Sequence, residues 1–141
     1  ERARVERPLI EQEFLQTEGA SIFIVHLHGM IFFGSANAVL ETVRAHVKTL
    51  EQQERQLCCL VLDFERCSEV DSSAVTILLQ AQRTIRKATL VVAAASLPIL
   101  RKLEATSANV QDVLGDRIFS SFSTLDLALE FCETQLLSTS T

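Results

Sequence analysis

The sequence predicts an α/β domain: a mixed, largely parallel sheet of five strands with about four helices packed against it. Three observations predict it. Two runs, Leu57 to Phe64 and Thr89 to Ala95, are apolar on both strand faces, as central strands covered by helices are. Segments with apolar residues at spacings of three and four lie between and after such runs. The resulting order, β-β-α-β-α-β-α-β-α, places a helix between most successive strands, which is the connection parallel strands need.

Taken in order, Glu1 to Pro8 is polar and linker-like, with Arg2, Arg4 and Arg7 interleaved with Glu1 and Glu6. Ile10 to Thr17 alternates weakly, as a short edge strand does, and Glu18-Gly19-Ala20 is a turn. Ser21 to His28 is a strand with Phe23, Val25 and Leu27 on one face and Ile24, His26 and His28 on the other. Gly29 is expected to break it, and Met30 to Phe33 forms a second short apolar stretch. Gly34-Ser35 then opens a helix by freeing backbone and offering a cap. From Ala36, residues Val39, Leu40, Val43, Val47 and Leu50 form one buried stripe of a helix of about 17 residues.

After the strand Leu57 to Phe64, Ala74, Val75, Leu78, Leu79, Ala81 and Ile85 mark a second helix, and Arg83, Arg86 and Lys87 near its end complement its dipole. Leu97 to Ala105, with Pro98 in its first turn, is a short helix, and Ile118 to Phe122 is an edge strand. Ser123, with Asp126 three residues on, is the expected cap of a last helix whose stripe is Leu125, Ala128, Leu129, Cys132 and Leu136.

Composition narrows the class of function. At 141 residues with 48% hydrophobic and 22% charged content, the chain fits one ordinary domain. Net charge is −5 with the cations dispersed, which disfavours a nucleic-acid surface. No apolar run approaches the roughly 20 residues that span a bilayer. Cys58, Cys59, Cys67 and Cys132 lack Cys-x-x-Cys spacing and read as small buried hydrophobes. Strand alternation sends Cys58 and Cys59 to opposite faces, so neither a disulfide nor a structural metal is expected there.

Several chemistries are missing from the pattern. There is no Walker A run, and Gly19, Gly29, Gly34 and Gly115 are too dispersed for a dinucleotide loop, so no cofactor is expected. His26 and His28 have a spacing that can hold a metal, but no Cys, Asp or Glu lies beside them on that strand, and packing or surface placement is the expected role. Ser72 with His26 or His46 would be a nucleophile and base, yet the Gly-x-Ser-x-Gly elbow is missing and no enzyme is expected.

What remains is Val70-Asp71-Ser72-Ser73, where a strand hands over to a helix. The first turn of a helix has unpaired N–H groups and the positive end of the dipole, so an anion such as a phosphate is stabilised there. Asp71 or Ser72 as a plain N-cap is the competing reading.

Three segments together carry a family likeness: Gly29-Met30-Ile31-Phe32-Phe33-Gly34-Ser35-Ala36-Asn37, Leu62-Asp63-Phe64 and Val70-Asp71-Ser72-Ser73-Ala74. The chain resembles the STAS domain, shared by sulfate transporters and anti-sigma factor antagonists, from about Glu13 to Gln135, and the resemblance implies the same element order. In the antagonists a partner kinase phosphorylates the serine after the aspartate, which corresponds to Ser72. Glycine commonly follows the serines there, whereas this chain has Ala74. The Ile-Phe-Phe-Gly-Ser-Ala-Asn run, and Arg7-Pro8 with Glu11, resemble the transporter branch of SulP type.

That resemblance implies a linker at residues 1–12 from a preceding membrane domain, a STAS domain at 13–136 and a frayed tail at 137–141. A chain that starts mid-protein without Met fits this expectation. The implied role is non-catalytic: regulation or dimerisation on the cytoplasmic side of the cell membrane, for a transporter of sulfate, bicarbonate or a similar anion. The implied partners are that membrane domain, a second copy, and a regulatory protein or kinase. Asp71, Ser72 and Ser73 are the candidate regulatory positions, and Phe32, Phe33, Ser35 and Asn37 the candidate interface, with a wholly buried Phe32-Phe33 pair as the alternative. A free-standing antagonist switched at Ser72 is the second reading. Nucleotide binding is suggested for some STAS domains, but no loop here favours it.

Overall fold

A computed structural model describes residues 10–14, 21–85, 87–110 and 119–139. Most of the expected linker, the turn at Glu18-Gly19-Ala20, Arg86, Ile118 and the last two residues of the tail lie outside them.

The described elements are β1 (Ile10–Phe14), β2 (Ile22–Ile31), α1 (Phe33–Gln52), β3 (Cys59–Val70), α2 (Ser72–Ile85), β4 (Thr89–Ala93), α3 (Leu97–Val110), β5 (Ser120–Phe122) and α4 (Leu125–Thr139). The five strands lie in sequential order in one sheet. β1 is antiparallel to β2, and every later pair is parallel. The predicted fold class is therefore the observed one.

Strand alternation sorts the core into two layers. Phe23, Val25 and Leu27 of β2, Leu60, Leu62 and Phe64 of β3, and Leu90 and Val92 of β4 pack under the buried stripes of α1, α2 and α3. Ile22, Ile24, Cys59, Val61, Val91 and Ala93 face the other way, against Ala128, Cys132 and Leu136 of α4. Three helices thus cover one face of the sheet, and α4 packs on the other. His46 of α1 is buried and stacks on Phe23, ring centroids 4.2 Å apart.

Several boundaries differ from the sequence reading, and the sheet pairing explains those of β2 and β3. Gly29 does not end β2; it takes φ +74 and the strand continues to Ile31. The pairing shows why. His26 lies opposite Asp63 but His28 opposite Arg66, and Gly29 opposite Cys67 but Met30 opposite Glu69. β3 carries one extra residue at each of these steps, so two bulges fit its longer path against β2. β3 consequently runs to Val70 rather than stopping at Phe64. The polar residues past Phe64 are the exposed face of its extension, Glu65, Arg66, Ser68 and Glu69, alternating imperfectly with buried Cys67 and Val70.

The last helix is capped by Thr124, whose hydroxyl accepts the Leu127 N–H at 3.1 Å, and not by Ser123. It stays helical to Thr139, into the residues expected to fray. α1 starts three residues earlier than expected, and α3 extends past Ala105 to Val110.

Cys58 and Cys59 also depart from expectation. β3 begins at Cys59, so Cys58 escapes the strand alternation. The two sulfurs lie 3.9 Å apart on the α4 side of the sheet, where Cys58 packs against the cluster containing Cys59 and Cys132. All four cysteines are free thiols.

Candidate functional site

The parallel strands bring their C-terminal ends, and the helix N-termini that follow, to one rim. There Ile31 pairs with Val70 and accepts the Asp71 N–H at 3.0 Å, which holds the starts of α1 and α2 side by side. The two groups of residues singled out in the sequence, 40 positions apart, therefore meet on one surface.

On the α1 side, Phe32 is the N-cap residue and its N–H donates to the Ser35 hydroxyl at 3.2 Å. That bond uses Ser35 inside the first turn, where it is buried. Ser35 thus supports the rim from beneath instead of presenting itself as a contact, and Asn37 is half-buried. Phe32 and Phe33 are both open, 51% and 55% exposed, with Met30 beside them at 40%. Neither phenylalanine belongs to the core.

On the α2 side, the capping question resolves to Asp71. Its carboxylate accepts both the N–H, at 3.1 Å, and the hydroxyl of Ser73. These bonds, the hydroxyl first, hold the Asp71 carboxyl below its usual range, and the Lys102 ammonium adds attraction. Ser72 is exposed and makes no side-chain hydrogen bond among the described residues. Lys102, from α3, donates to the Val70 carbonyl at 2.8 Å, so a cation stands behind the junction. A residue 32 positions away leaves no local sequence signal, and only the fold reveals it.

On the opposite face of the sheet, His26 is not the isolated residue that its own strand suggests. Its Nδ1 lies 2.6 Å from Asp63 Oδ2, and the other Asp63 oxygen accepts the Glu65 N–H at 3.1 Å. Asp63 is 6% exposed. The signal was present in the sequence as a carboxylate inside an apolar strand, sharing a face with Val61. His26 lies on the α4 face and His46 is stacked on Phe23 beneath α1, so neither is placed as a base for Ser72 at the start of α2.

The architecture, five strands in sequence order with three helices on one face and a terminal helix on the other, defines a small α/β class. The chain belongs to the STAS domain family, whose family model matches residues 13–125. Comparison of its sequence with those of curated proteins finds no match.

Solved structures of two kinds share the fold. An anti-sigma factor antagonist from Mycobacterium paratuberculosis is 19% identical, over 89% of this chain and 94% of that one, with a TM-score of 0.67. A sulfate transporter family protein from Wolinella succinogenes is 18% identical over 82% and 88%, with a TM-score of 0.57. The murine solute carrier 26 family member A9 anion transporter is 14% identical, over 90% of this chain but 22% of its own, with a TM-score of 0.61. Among the described residues, no helix is long and apolar enough to cross a membrane.

Proposed function

We propose that this chain is the regulatory and dimerisation domain of a SulP-type anion transporter, held on the cytoplasmic side of the membrane by a linker at residues 1–12. It moves no ion itself and catalyses nothing; it docks. The observation that carries this reading is the open apolar rim of Met30, Phe32 and Phe33, the same run whose sequence resembles the transporter branch. Two half-exposed phenylalanines at one helix start are costly to leave in water and are the kind of anchor that interfaces use.

The test uses the full-length protein in membrane vesicles, with uptake of labelled sulfate and bicarbonate as readout. Phe32→Ala with Phe33→Ala alters regulated uptake or dimer content while the isolated domain keeps its melting temperature. A full-length gene without membrane spans before Glu1 sinks the reading.

One observation favours the second reading, an antagonist switched by a kinase. Asp71 does the capping, which leaves the Ser72 hydroxyl open at the first position of α2. A phosphate there carries about −1.5 to −2 charge, attracted by the helix start and Lys102 and repelled by Asp71 and Glu69. Incubation with ATP and the cognate kinase, followed by mass spectrometry, would place phosphate on Ser72; an unmodified serine removes this alternative.

A further inference from the structure

We propose that residues 2–9 of this chain, which precede β1 and lie outside the described residues, cover the open rim of Met30, Phe32 and Phe33 as an occupant from the same chain. Any other partner reaches the rim only by displacing them.

The sheet topology brings this segment to the rim. β1 runs antiparallel to β2 and starts at Ile10, opposite Leu27. β2 continues past that point to Ile31, so the chain before Ile10 approaches from the rim end of the sheet. At about 3.3 Å per residue, Leu27 to Ile31 is a gap of about 13 Å, and residues 5–9 in extended form reach about 17 Å. Two residues limit how far the β1–β2 ladder can extend instead. Continuing its register sets Pro8 opposite Gly29, which takes φ +74. Proline has no N–H to donate, and Gly29 has left ordinary strand geometry, so pairing ends there and the segment crosses from the sheet edge onto the rim.

The chemistry of the two surfaces matches. Arg2-Ala3-Arg4-Val5-Glu6-Arg7-Pro8-Leu9 carries three cations against one carboxylate, with Val5, Pro8 and Leu9 as its larger apolar residues. At the rim, exposed Glu69 pairs across from Met30, and exposed Asp71 follows Val70 and donates its N–H to Ile31. Two carboxylates thus flank the apolar patch, while Lys102 stands behind it on the Val70 carbonyl. Laying Val5 and Leu9 on the phenylalanine rings takes apolar surface of both sides out of water. An arginine over an exposed ring adds cation–π attraction. An anionic lipid surface gains less, because Glu69 and Asp71 repel it. A tethered segment also has the advantage of a high effective concentration, which a separate partner lacks. The consequence rests on the docking role proposed above: the segment that links the domain to its neighbour also competes with that neighbour for Phe32 and Phe33.

The whole chain in solution provides the test. NOEs from the Val5 and Leu9 methyls to the Phe32 and Phe33 rings are expected, and trypsin should cut the Arg4–Val5 bond slowly. Because cleavage tracks the open population, Phe32→Ser with Phe33→Ser should speed that cut about tenfold, and Glu69→Lys by a smaller factor, both at unchanged melting temperature. Protection that persists on dilution supports a contact within one chain. Protection lost on dilution assigns the cover to a second copy and overturns the proposal. Missing NOEs, or equally fast cleavage with and without the two phenylalanines, overturn it too, even where Phe32→Ala with Phe33→Ala alters uptake in vesicles. Intact NOEs with unaltered uptake support this contact and sink the docking role instead.

Discussion

Asp71 shows how one side chain can hold a structural and a titratable role together. Its folded carboxyl lies below its ordinary range because Ser73 donates to it twice. As pH falls, the unfolded chain takes up this proton first, so the group's stabilisation is complete above the unfolded value of about 4 and disappears as pH drops through the lower folded value. Asn caps helices about as well as Asp. Asp71→Asn should therefore keep the melting temperature at neutral pH and flatten its decline in the acid window, as melts across a pH series would reveal. The cysteines make the opposite case. Burial, with help from Cys59, pushes the Cys58 thiol up to about 12, and the Cys132 thiol together with burial raises Cys59 further. Thiols held protonated are poor nucleophiles. Alkylation by iodoacetamide at pH 8 should be far slower in the native chain than in the urea-unfolded one, with mass spectrometry counting the labels. Composition and position already marked these thiols as buried hydrophobes, but their clustering across β3 and α4 depends on contacts between distant residues and was not readable.

At the scale of the element, the strongly periodic segments were legible and their ends were not. The stripes of α1 and α2 came from spacing alone; every expected residue of α2 is buried, while in α1 Val39, Leu40, Val43 and Leu50 are buried, Val47 is only partly so and His46 was not foreseen. Ends depend on single hydrogen bonds and on the partner strand. Ser and Thr are both capping residue types, and the single bond from the Leu127 N–H to the Thr124 hydroxyl decides between Ser123 and Thr124. Thr124→Ala should cost about 1 kcal/mol and Ser123→Ala almost nothing, a contrast that urea midpoints would resolve. Gly29 was legible as a special residue but its effect was misjudged. A glycine at positive φ normally marks a turn, yet here it lets a strand follow its bulged neighbour without stopping. A Cβ at Gly29 meets nothing within 4 Å, so only backbone strain opposes it. Gly29→Ala should destabilise by about 1–2 kcal/mol through φ alone, again checked by equilibrium unfolding.

The whole molecule divides its work between two faces and one rim. The rim was half legible: its residues were marked by their types, but their adjacency required the parallel pairing of β2 with β3. His26 with Asp63 was missed for the same reason, since a cross-strand partner is invisible until register is known. The second face yields the sharpest test of the fold's economy, because the family model ends at residue 125, where α4 starts. A chain cut at residue 124 would keep every strand and the three helices of the first layer. It would also strip the cover from Ile22, Ile24, Val61 and Val91, which are at most 1% exposed. Full burial of each stabilises by about 1.5–3 kcal/mol, so losing half of it removes about 3–6 kcal/mol, set against a typical domain stability of about 5–15. We expect the truncated chain to bind the dye ANS, lose its cooperative melt and aggregate, whereas the full chain melts in one transition. A cooperative, dye-silent truncated domain would mean that the α4 face is closed by something other than α4.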